Sequence, residues 1–307
     1  MTKPTKPHLK LSVVVCTYNR DCMLAHCLRS LTNQTVDPKQ FEVIVVDNNS
    51  TDKTRYVILG YEEHFPYIRS IKEPKQGLSN ARNAGWRAAK GTYVAYLDDD
   101  AQAVPAWCER IIAAFETASP QPVAVGGVIH PWYEDYPPPW FSDDLEIRSW
   151  GDSAGFLNSP DARYGFSGSN MAFRREVLET FGGFSDSFGM DGRTIRMSEE
   201  VELFCRIYRS EPYFWYDPSI KVLHFAPFEH MTCRYRFKRG FQCGKARAQI
   251  DGDVFFSPVY KARLKSFLRY LIGIPRLFGK CDRKTVFMRC ASKCGWHIGY
   301  LLGCGRR

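Results

Sequence analysis

An α/β domain built on a mostly parallel sheet flanked by helices is what this sequence predicts, and three observations predict it. Short apolar runs alternate with helix-patterned segments over the first hundred residues, the order that yields right-handed crossovers and parallel strands. Each early strand with a legible end finishes in a polar cluster, Thr17-Tyr18-Asn19-Arg20 and then Asp47-Asn48-Asn49-Ser50. Residues 92–101, TYVAYLDDDA, run apolar residues on both faces into three aspartates, as a covered strand should when its carboxyl end lines a ligand site.

The elements follow in chain order. Residues 11–16, LSVVVC, read as a buried strand, and Met23, Leu24, Cys27, Leu28 and Leu31 then recur at helical spacing. Residues 41–46, FEVIVV, make a second strand, after which Thr51-Asp52-Lys53 opens a helix with Thr51 or Asp52 as its cap. A shorter strand at 67–72 leads to a helix at 78–90 that stops at Gly91. The 92–101 strand comes fourth, and Pro105 with WCERIIAAF begins the next helix.

The second half has a different texture. Residues 123–130 read as a strand, PWYEDYPPPWFSDD (131–144) as a loop, and 168–174 as a strand running into a short helix that ends at Phe181. Gly182-Gly183-Phe184 makes a turn. Residues 198–209, SEEVELFCRIYR, form a helix with Ser198 as cap and two glutamates in its first turn, before strands at 213–216 and 221–225.

With 307 residues, 44% hydrophobic and 24% charged, the chain suits one large domain or a domain with an appendage. The net charge of +9 is uneven: from Val259 onward twelve Lys and Arg face Asp282 alone, and the remainder is slightly acidic. Eleven cysteines without paired CxxC spacing predict neither a disulfide framework nor a zinc site, and Cys16 and Cys205 read as small core residues. The first residues carry no apolar leader, and no apolar run is long enough to span a bilayer. A cytoplasmic protein is the expectation.

Asp98, Asp99 and Asp100 carry the chemistry. Three adjacent carboxylates repel one another unless something positive sits among them. A hard divalent cation, Mg²⁺ or Mn²⁺, meets that need and keeps positions open for phosphates. A helix cap needs only one of the three.

The chain resembles a family 2 glycosyltransferase of the GT-A fold, of the bacterial polysaccharide-building kind. VVVCTYNR, EVIVVDNNSTD, GLSNARNAG, YVAYLDDD, GSNMAFRREVLETFGGF and SEEVELFCRI carry the resemblance, in that order, over residues 11–225. It implies a Rossmann-like catalytic domain at 1–230, with a nucleotide-binding half at 11–100 and an acceptor half at 101–230. A basic helical extension fills 231–307. It also implies a nucleotide-diphosphate sugar donor, Mn²⁺ or Mg²⁺ as cofactor, and inversion at the anomeric carbon.

The resemblance places the nucleotide against Thr17, Tyr18 and Arg20 at the first strand end, and against Asp47 and Asn48 at the second. Many members have a second aspartate where Asn48 stands here. Arg82 resembles an arginine that faces the phosphates. Asp98 and Asp99 match the acidic motif that serves ribose and the metal's water shell. Asp98 and Asp100, with His224 from a late strand end, make the implied metal set. The family base is the aspartate of a Glu-Asp pair; here Glu200 occupies that position, and either carboxylate can take the acceptor's proton. Glu199, Ser169 and Asn170 are candidate acceptor contacts, and the aromatic Trp132–Trp140 loop is either a further sugar contact or part of the core or a lid.

Two other functions compete with a transferase that extends a surface polysaccharide or glycolipid. A sugar-phosphate nucleotidyltransferase would carry a glycine-rich basic loop after its first strand, where VVVCTYNRDCML has none. A non-catalytic carbohydrate-binding scaffold would lose the metal aspartates or the base, and both are present. The basic tail, with SFLRYLIGIPRLFG (266–279) and GWHIGYLLG (295–303), suits a peripheral contact with an anionic membrane surface through 259–307. No nucleic-acid module accompanies the charge, so nucleic acid is not an expected partner.

Overall fold

The computed structural model describes residues 9–189, 198–274 and 282–305. In its first part β1 (Leu11–Thr17), β2 (Phe41–Asp47), β3 (Ile68–Lys72) and β4 (Tyr93–Tyr96) alternate with α1 (Asp21–Thr32), α2 (Thr54–His64) and α3 (Leu78–Ala88). β1 lies between β2 and β4, parallel to both, and β3 adds in parallel outside β2. This register sets Thr17 opposite Asp47 and Val14 opposite Tyr96, so the strands release their polar ends along one edge.

Alternation along these strands divides the core. Val13, Val15, Val43, Val45 and Ala95 pack with the apolar face of α1 and with Trp107, Ile111 and Phe115 of α4 (Trp107–Thr117). Val14, Ile44, Val46, Val94 and Tyr96 pack on the other face with Trp86 of α3 and residues of α5 (Arg175–Phe181) and α6 (Glu199–Tyr208). Covering on both faces is why these strands carry no polar alternation.

Beyond β4 the pairing turns antiparallel. β8 (Met171–Arg174) lies on β4 and β6 (Ala124–Trp132) on β8; β9 (Phe214–Phe225) follows, with β5 (Ala101–Ala103) and β7 (Gly155–Phe156) both pairing β9. The parallel part of the sheet is therefore its first four strands.

Three expectations change here. Residues 92–101 are not one strand: β4 ends at Tyr96, the aspartates occupy a turn closed by the Ala101 amide donating to the Asp98 carbonyl at 3.0 Å, and β5 starts a new pairing. The strands expected at 213–216 and 221–225 are one strand, β9. Asp217 and Pro218 read as a break because the Asp217 carboxylate accepts from the Ser219 amide at 2.8 Å, yet pairing with β7 and β5 on either side keeps the strand continuous. The strand expected from 168 begins only at Met171. Burial pushes the Cys16 thiol up, consistent with a packing rather than a reactive role.

The chain clusters into two compact units. The first comprises residues 9–131, Ile147–Ser187 and Glu199–Phe225; the second contains Trp132–Glu146 and the described residues from Ala226 onward. In the second unit α7 (Cys233–Asp251), α8 (Pro258–Gly273) and α9 (Arg283–Gly303) follow one another. The 266–279 stretch of the tail runs beyond Ile274, where its remaining residues lie outside those described. α7 and α9 meet through glycines: a Cβ on Gly244 would stand 2.0 Å from the Trp296 carbonyl, and one on Gly299 2.0 Å from that of Phe241.

The 132–146 segment belongs to this second unit. The Glu146 carboxylate accepts from Arg236 at 2.6 Å, and Phe141 packs with Met231 and Met288. Trp140 lies edge-on to Phe141 with ring centroids 6.2 Å apart, and its carbonyl accepts from the Thr285 hydroxyl. Trp140 is thus a half-buried packing residue of the second unit.

Candidate active site

The carboxyl ends of β1, β2 and β4 are shaped first by backbone ties. Asn19, at φ 52, holds the left-handed turn after β1; its amide donates to Ser50 at 3.1 Å and its side-chain carbonyl accepts from the Thr51 amide at 2.7 Å. Asparagine tolerates that conformation better than most residues. The loops leaving β1 and β2 are thereby locked together, with Tyr18 and Arg20 left accessible at the rim.

The turn after β4 sorts its three aspartates. Asp98 and Asp100 are partly exposed, whereas Asp99 is buried. β9 delivers the third member of the group: Ala101 pairs with His224, and the Phe225 amide donates to the Asp100 carbonyl at 2.9 Å. His224 Nε2 then stands 3.3 Å from Asp100 Oδ1 and 3.7 Å from Asp98 Oδ2. One donor atom from each of Asp98, Asp100 and His224 falls within 4.8 Å of the others.

This donor set fits a divalent cation. Two carboxylate oxygens and an imidazole nitrogen suit Mn²⁺ or Mg²⁺ with room left for phosphate oxygens. His224 Nδ1 lies 3.1 Å from the Phe225 carbonyl; a proton on Nδ1 leaves Nε2 as the ligating nitrogen.

Charge around the triplet is balanced from two sides. Arg20 pairs with Asp100 and reaches Asp99 at 3.6 Å. Burial works to raise the Asp98 pKa, but the His224 hydrogen bond and Arg82 outweigh it and hold that carboxyl below its ordinary range. Asp99 goes the other way: burial, then repulsion from Asp100, pushes it up to about 7.

Arg82 is the centre of the site's rigid part. Its guanidinium is buried, pairs with Glu199, and donates to Asp98 at 3.2 Å. It lies over the rings of Phe184 and Tyr96, 5.5 Å and 6.0 Å from their centroids. Gly168 makes room for it, because a Cβ there would stand 2.3 Å from Arg82 Nη2. Gly182-Gly183-Phe184 is also more than a turn. Asn83 clamps Phe184 by accepting from its amide at 2.9 Å and donating to its carbonyl at 2.7 Å, which seats the ring against Arg82.

Glu200 follows Glu199 in the first turn of α6 and stays partly exposed while Glu199 is buried. Burial, then repulsion from Glu199, raises the Glu200 pKa to about 8, with Arg82 acting in the opposite sense. A carboxylate with that proton affinity is equipped to take a proton from a hydroxyl.

Several residues expected to touch ligands are committed elsewhere. The Asn48 amide donates to the carbonyls of Glu73 at 2.7 Å and Lys75 at 2.9 Å and accepts from the Gly77 amide at 2.8 Å, so it shapes the 73–77 loop. Asp47 is buried and accepts from the Ser50 amide at 2.9 Å. Asn170, 1% exposed, donates to the carbonyls of Val128 and Ile220 and accepts from Trp107 Nε1 at 2.9 Å. It ties β6 to β9. Ser169 is buried. Glu199 anchors Arg82, and Arg82 faces carboxylates of its own chain rather than open space.

Sequence reading missed Gly168 and Phe184 as the seat of Arg82. The only local signal was their place in the GSN and GGF motifs, and it did not name a partner.

Comparison with known proteins agrees with this fold. Residues 12–182 match the family model described as glycosyl transferase family 2. Over 202 residues the chain is 31% identical to the glucosyl-dolichyl phosphate glucuronosyltransferase of Haloferax volcanii, covering 65% of this chain and 64% of that protein. It is 35% identical over 156 residues to a validoxylamine A glucosyltransferase of Streptomyces hygroscopicus subsp. limoneus, covering 43% of this chain and 34% of that protein. The matches thus span less than two thirds of either relative. Among solved structures, the mannosyltransferase PcManGT of Pyrobaculum calidifontis, in complex with GDP-Man and Mn²⁺, aligns with a TM-score of 0.63 at 19% identity, over 95% of this chain and 86% of that one. S. aureus TarS 1–349 in complex with UDP aligns with a TM-score of 0.55 at 16% identity, over 95% and 90%. At such identities these two speak to the fold alone.

Proposed function

Because the chain belongs to glycosyl transferase family 2, we propose that it transfers a sugar, with inversion, from a nucleotide-diphosphate sugar to a hydroxyl of a glycan or lipid-linked acceptor in surface polysaccharide synthesis. The observation that carries this reading is the convergence of Asp98, Asp100 and His224 at the strand ends, with Glu200 on α6 coupled electrostatically to Arg82 and Asp98.

Asp98, Asp100 and His224 would hold Mn²⁺ or Mg²⁺. When bound, such an ion neutralises the diphosphate and stabilises the departing nucleotide. The chain's own groups do the rest. Arg82 keeps Asp98 charged and in place, and Arg20 orients Asp100 from the outer side. Tyr18 and Arg20 are accessible for nucleotide contact, and Thr17 closes the β1 end beneath them. Glu200 takes the proton from the acceptor hydroxyl as its oxygen forms the bond to the anomeric carbon. The bond from that carbon to the diphosphate oxygen breaks, and the nucleotide diphosphate leaves with the electron pair.

Support for the ligand classes comes from relatives. One is named for a glucosyl-dolichyl phosphate acceptor, and two structural neighbours were solved with UDP or with GDP-Man and Mn²⁺. No described helix is long and apolar enough to cross a membrane, and the basic stretch 259–307 supports a peripheral placement on an anionic membrane surface.

Thermal shift against a panel of nucleotide diphosphates and nucleotide sugars, with and without Mn²⁺, tests the reading. A ligand that binds only the folded state raises Tm with its occupancy. One nucleotide class should shift the protein only with Mn²⁺, and Asp100→Ala should abolish the shift. A folded protein that responds to none of them would instead be a scaffold.

A further inference from the structure

α8 is divided lengthwise into three strips. Tyr260, Arg263, Phe267 and Tyr270 form the strip that meets α9. The Arg263 guanidinium lies 5.4 Å from the Trp296 ring centroid and 5.1 Å from that of Tyr300, Phe267 stacks on His297 at 5.1 Å, and the Tyr270 hydroxyl donates to Cys290 Sγ at 3.4 Å. The second strip is Leu264, Leu268 and Leu271, at i, i+4 and i+7, with Ile272 beside them. The third is Lys261, Lys265 and Arg269, again at four-residue spacing, and at 100° per residue it adjoins the leucines.

A helix of a water-soluble domain turns its leucines to the core. Here the arrangement is reversed: the mixed aromatic and basic strip docks, and the leucine strip is outside. Leu264, Leu268, Leu271 and Ile272 are 37%, 52%, 38% and 78% exposed, and no α8 residue is fully buried. Phe256, 74% exposed in the turn before the helix, and Val259, on the other side of α8, are exposed as well. Leu264, Leu268, Leu271 and Ile272 are thus four of the fifteen large hydrophobics exposed among the described residues, gathered on one strip, a concentration that marks an interaction surface.

Charge names the partner. Between Asp253 and Asp282 the sequence contains no acidic residue, so Lys261, Lys265 and Arg269 have no counter-charge on their own helix or in the segments flanking it. A second copy of this chain docking on the same patch would bring two sets of three uncompensated cations together, which like-charge repulsion opposes. An acidic macromolecule without apolar surface would leave the leucines in water. An anionic bilayer satisfies both strips at once, with leucines among the acyl chains and lysines at the phosphates.

We propose that α8 docks on an anionic lipid surface through Leu264, Leu268, Leu271 and Ile272, with Lys261, Lys265 and Arg269 at the head groups. The proposal rests on the peripheral placement stated above and gives it a defined contact. It does not depend on the transfer reaction.

Co-sedimentation of the full chain with vesicles of phosphatidylcholine alone, or of phosphatidylcholine with phosphatidylglycerol, tests it without using donor or acceptor. The protein should partition to the anionic vesicles and be released by high salt. Leu264→Ser/Leu268→Ser/Leu271→Ser/Ile272→Ser should lower partition by about tenfold or more. Lys261→Gln/Lys265→Gln/Arg269→Gln should lower it by about fivefold per charge removed. Both variants should stay folded, which thermal unfolding reads, since no residue of either strip is buried. Equal binding by parent and serine variant would overturn the α8 contact while leaving peripheral placement through another part of the tail. Failure of the parent to bind anionic vesicles would overturn both. A solution dimer that the serine variant dissociates, without vesicle binding, would assign the strip to a second copy and overturn the proposal.

Discussion

Arg82 and Glu199, 117 residues apart in sequence, form a buried ion pair whose other arm holds Asp98. One guanidinium thus couples the β4 turn, which carries the metal-type carboxylates, to the first turn of α6, which carries Glu200.

Removing that guanidinium leaves a buried carboxylate uncompensated. Arg82→Met is expected to destabilise the fold by about 3–5 kcal/mol, because an unpaired buried charge loses its Coulomb partner while still lacking water. Glu199→Leu in the same chain should restore part of the loss. Urea denaturation of the two variants reads both effects, and a single variant as stable as the parent would refute the coupling.

Glu200→Gln is the test of the base. It removes the proton acceptor while keeping size and position, so transfer should slow by roughly 10²–10⁴-fold. Nucleotide binding, followed by thermal shift, should be unchanged. A variant that turns over normally would move the base elsewhere.

The pH profile follows from the same residue. Burial and Glu199 favour the neutral form of Glu200 and raise its pKa to about 8, whereas the base must be charged to act. The logarithm of kcat/KM should therefore climb with unit slope as pH rises towards about 8 and level off above it. An acidic limb that ends near pH 4–5, the range of an ordinary glutamate, would show that Glu200 is unperturbed during the reaction.

Metal affinity is predicted to depend on β9 as much as on the aspartates. His224→Ala and Asp100→Ala should each weaken Mn²⁺ binding by roughly tenfold or more, read from the electron paramagnetic resonance signal of free Mn²⁺. If His224→Ala binds Mn²⁺ as the parent does, the histidine is a neighbour of the site and not a ligand.

The α7–α9 contact admits no side chain at its glycines. Gly299→Val should destabilise the second unit by about 1–3 kcal/mol or more, since overpacking forces backbone apart, and here the new Cβ would stand 2.0 Å from the Phe241 carbonyl. Gly273→Ala, on α8 with nothing within 4 Å of its Cβ, is the internal control and should leave thermal unfolding unchanged or slightly raised.

Much of the parallel half was legible before any coordinates. Hydrophobic period and turn residues are local signals, and they located β1, β2, β3 and the helices between them to within a few residues. The same local logic placed Asp98 and Asp100 at a strand end and, through the family resemblance, named His224 with them; the structure gathers these three. It did not foresee that β4 stops at Tyr96, because where a strand ends depends on which neighbour takes up its hydrogen bonds.

The remainder was decided by long-range pairing. Whether a polar side chain such as Asn48 or Asn170 faces a ligand or a carbonyl of its own chain depends on which backbone groups another segment leaves unsatisfied, and burial makes that accounting obligatory. Asn170 turned inward because Val128, Ile220 and Trp107 needed partners, and Arg82 turned towards Asp98 and Glu199 because Gly168 leaves space for it. Local pattern set the elements and the chemical types at their ends. Only the packing of segments a hundred residues apart chose which of those groups stay available to a substrate.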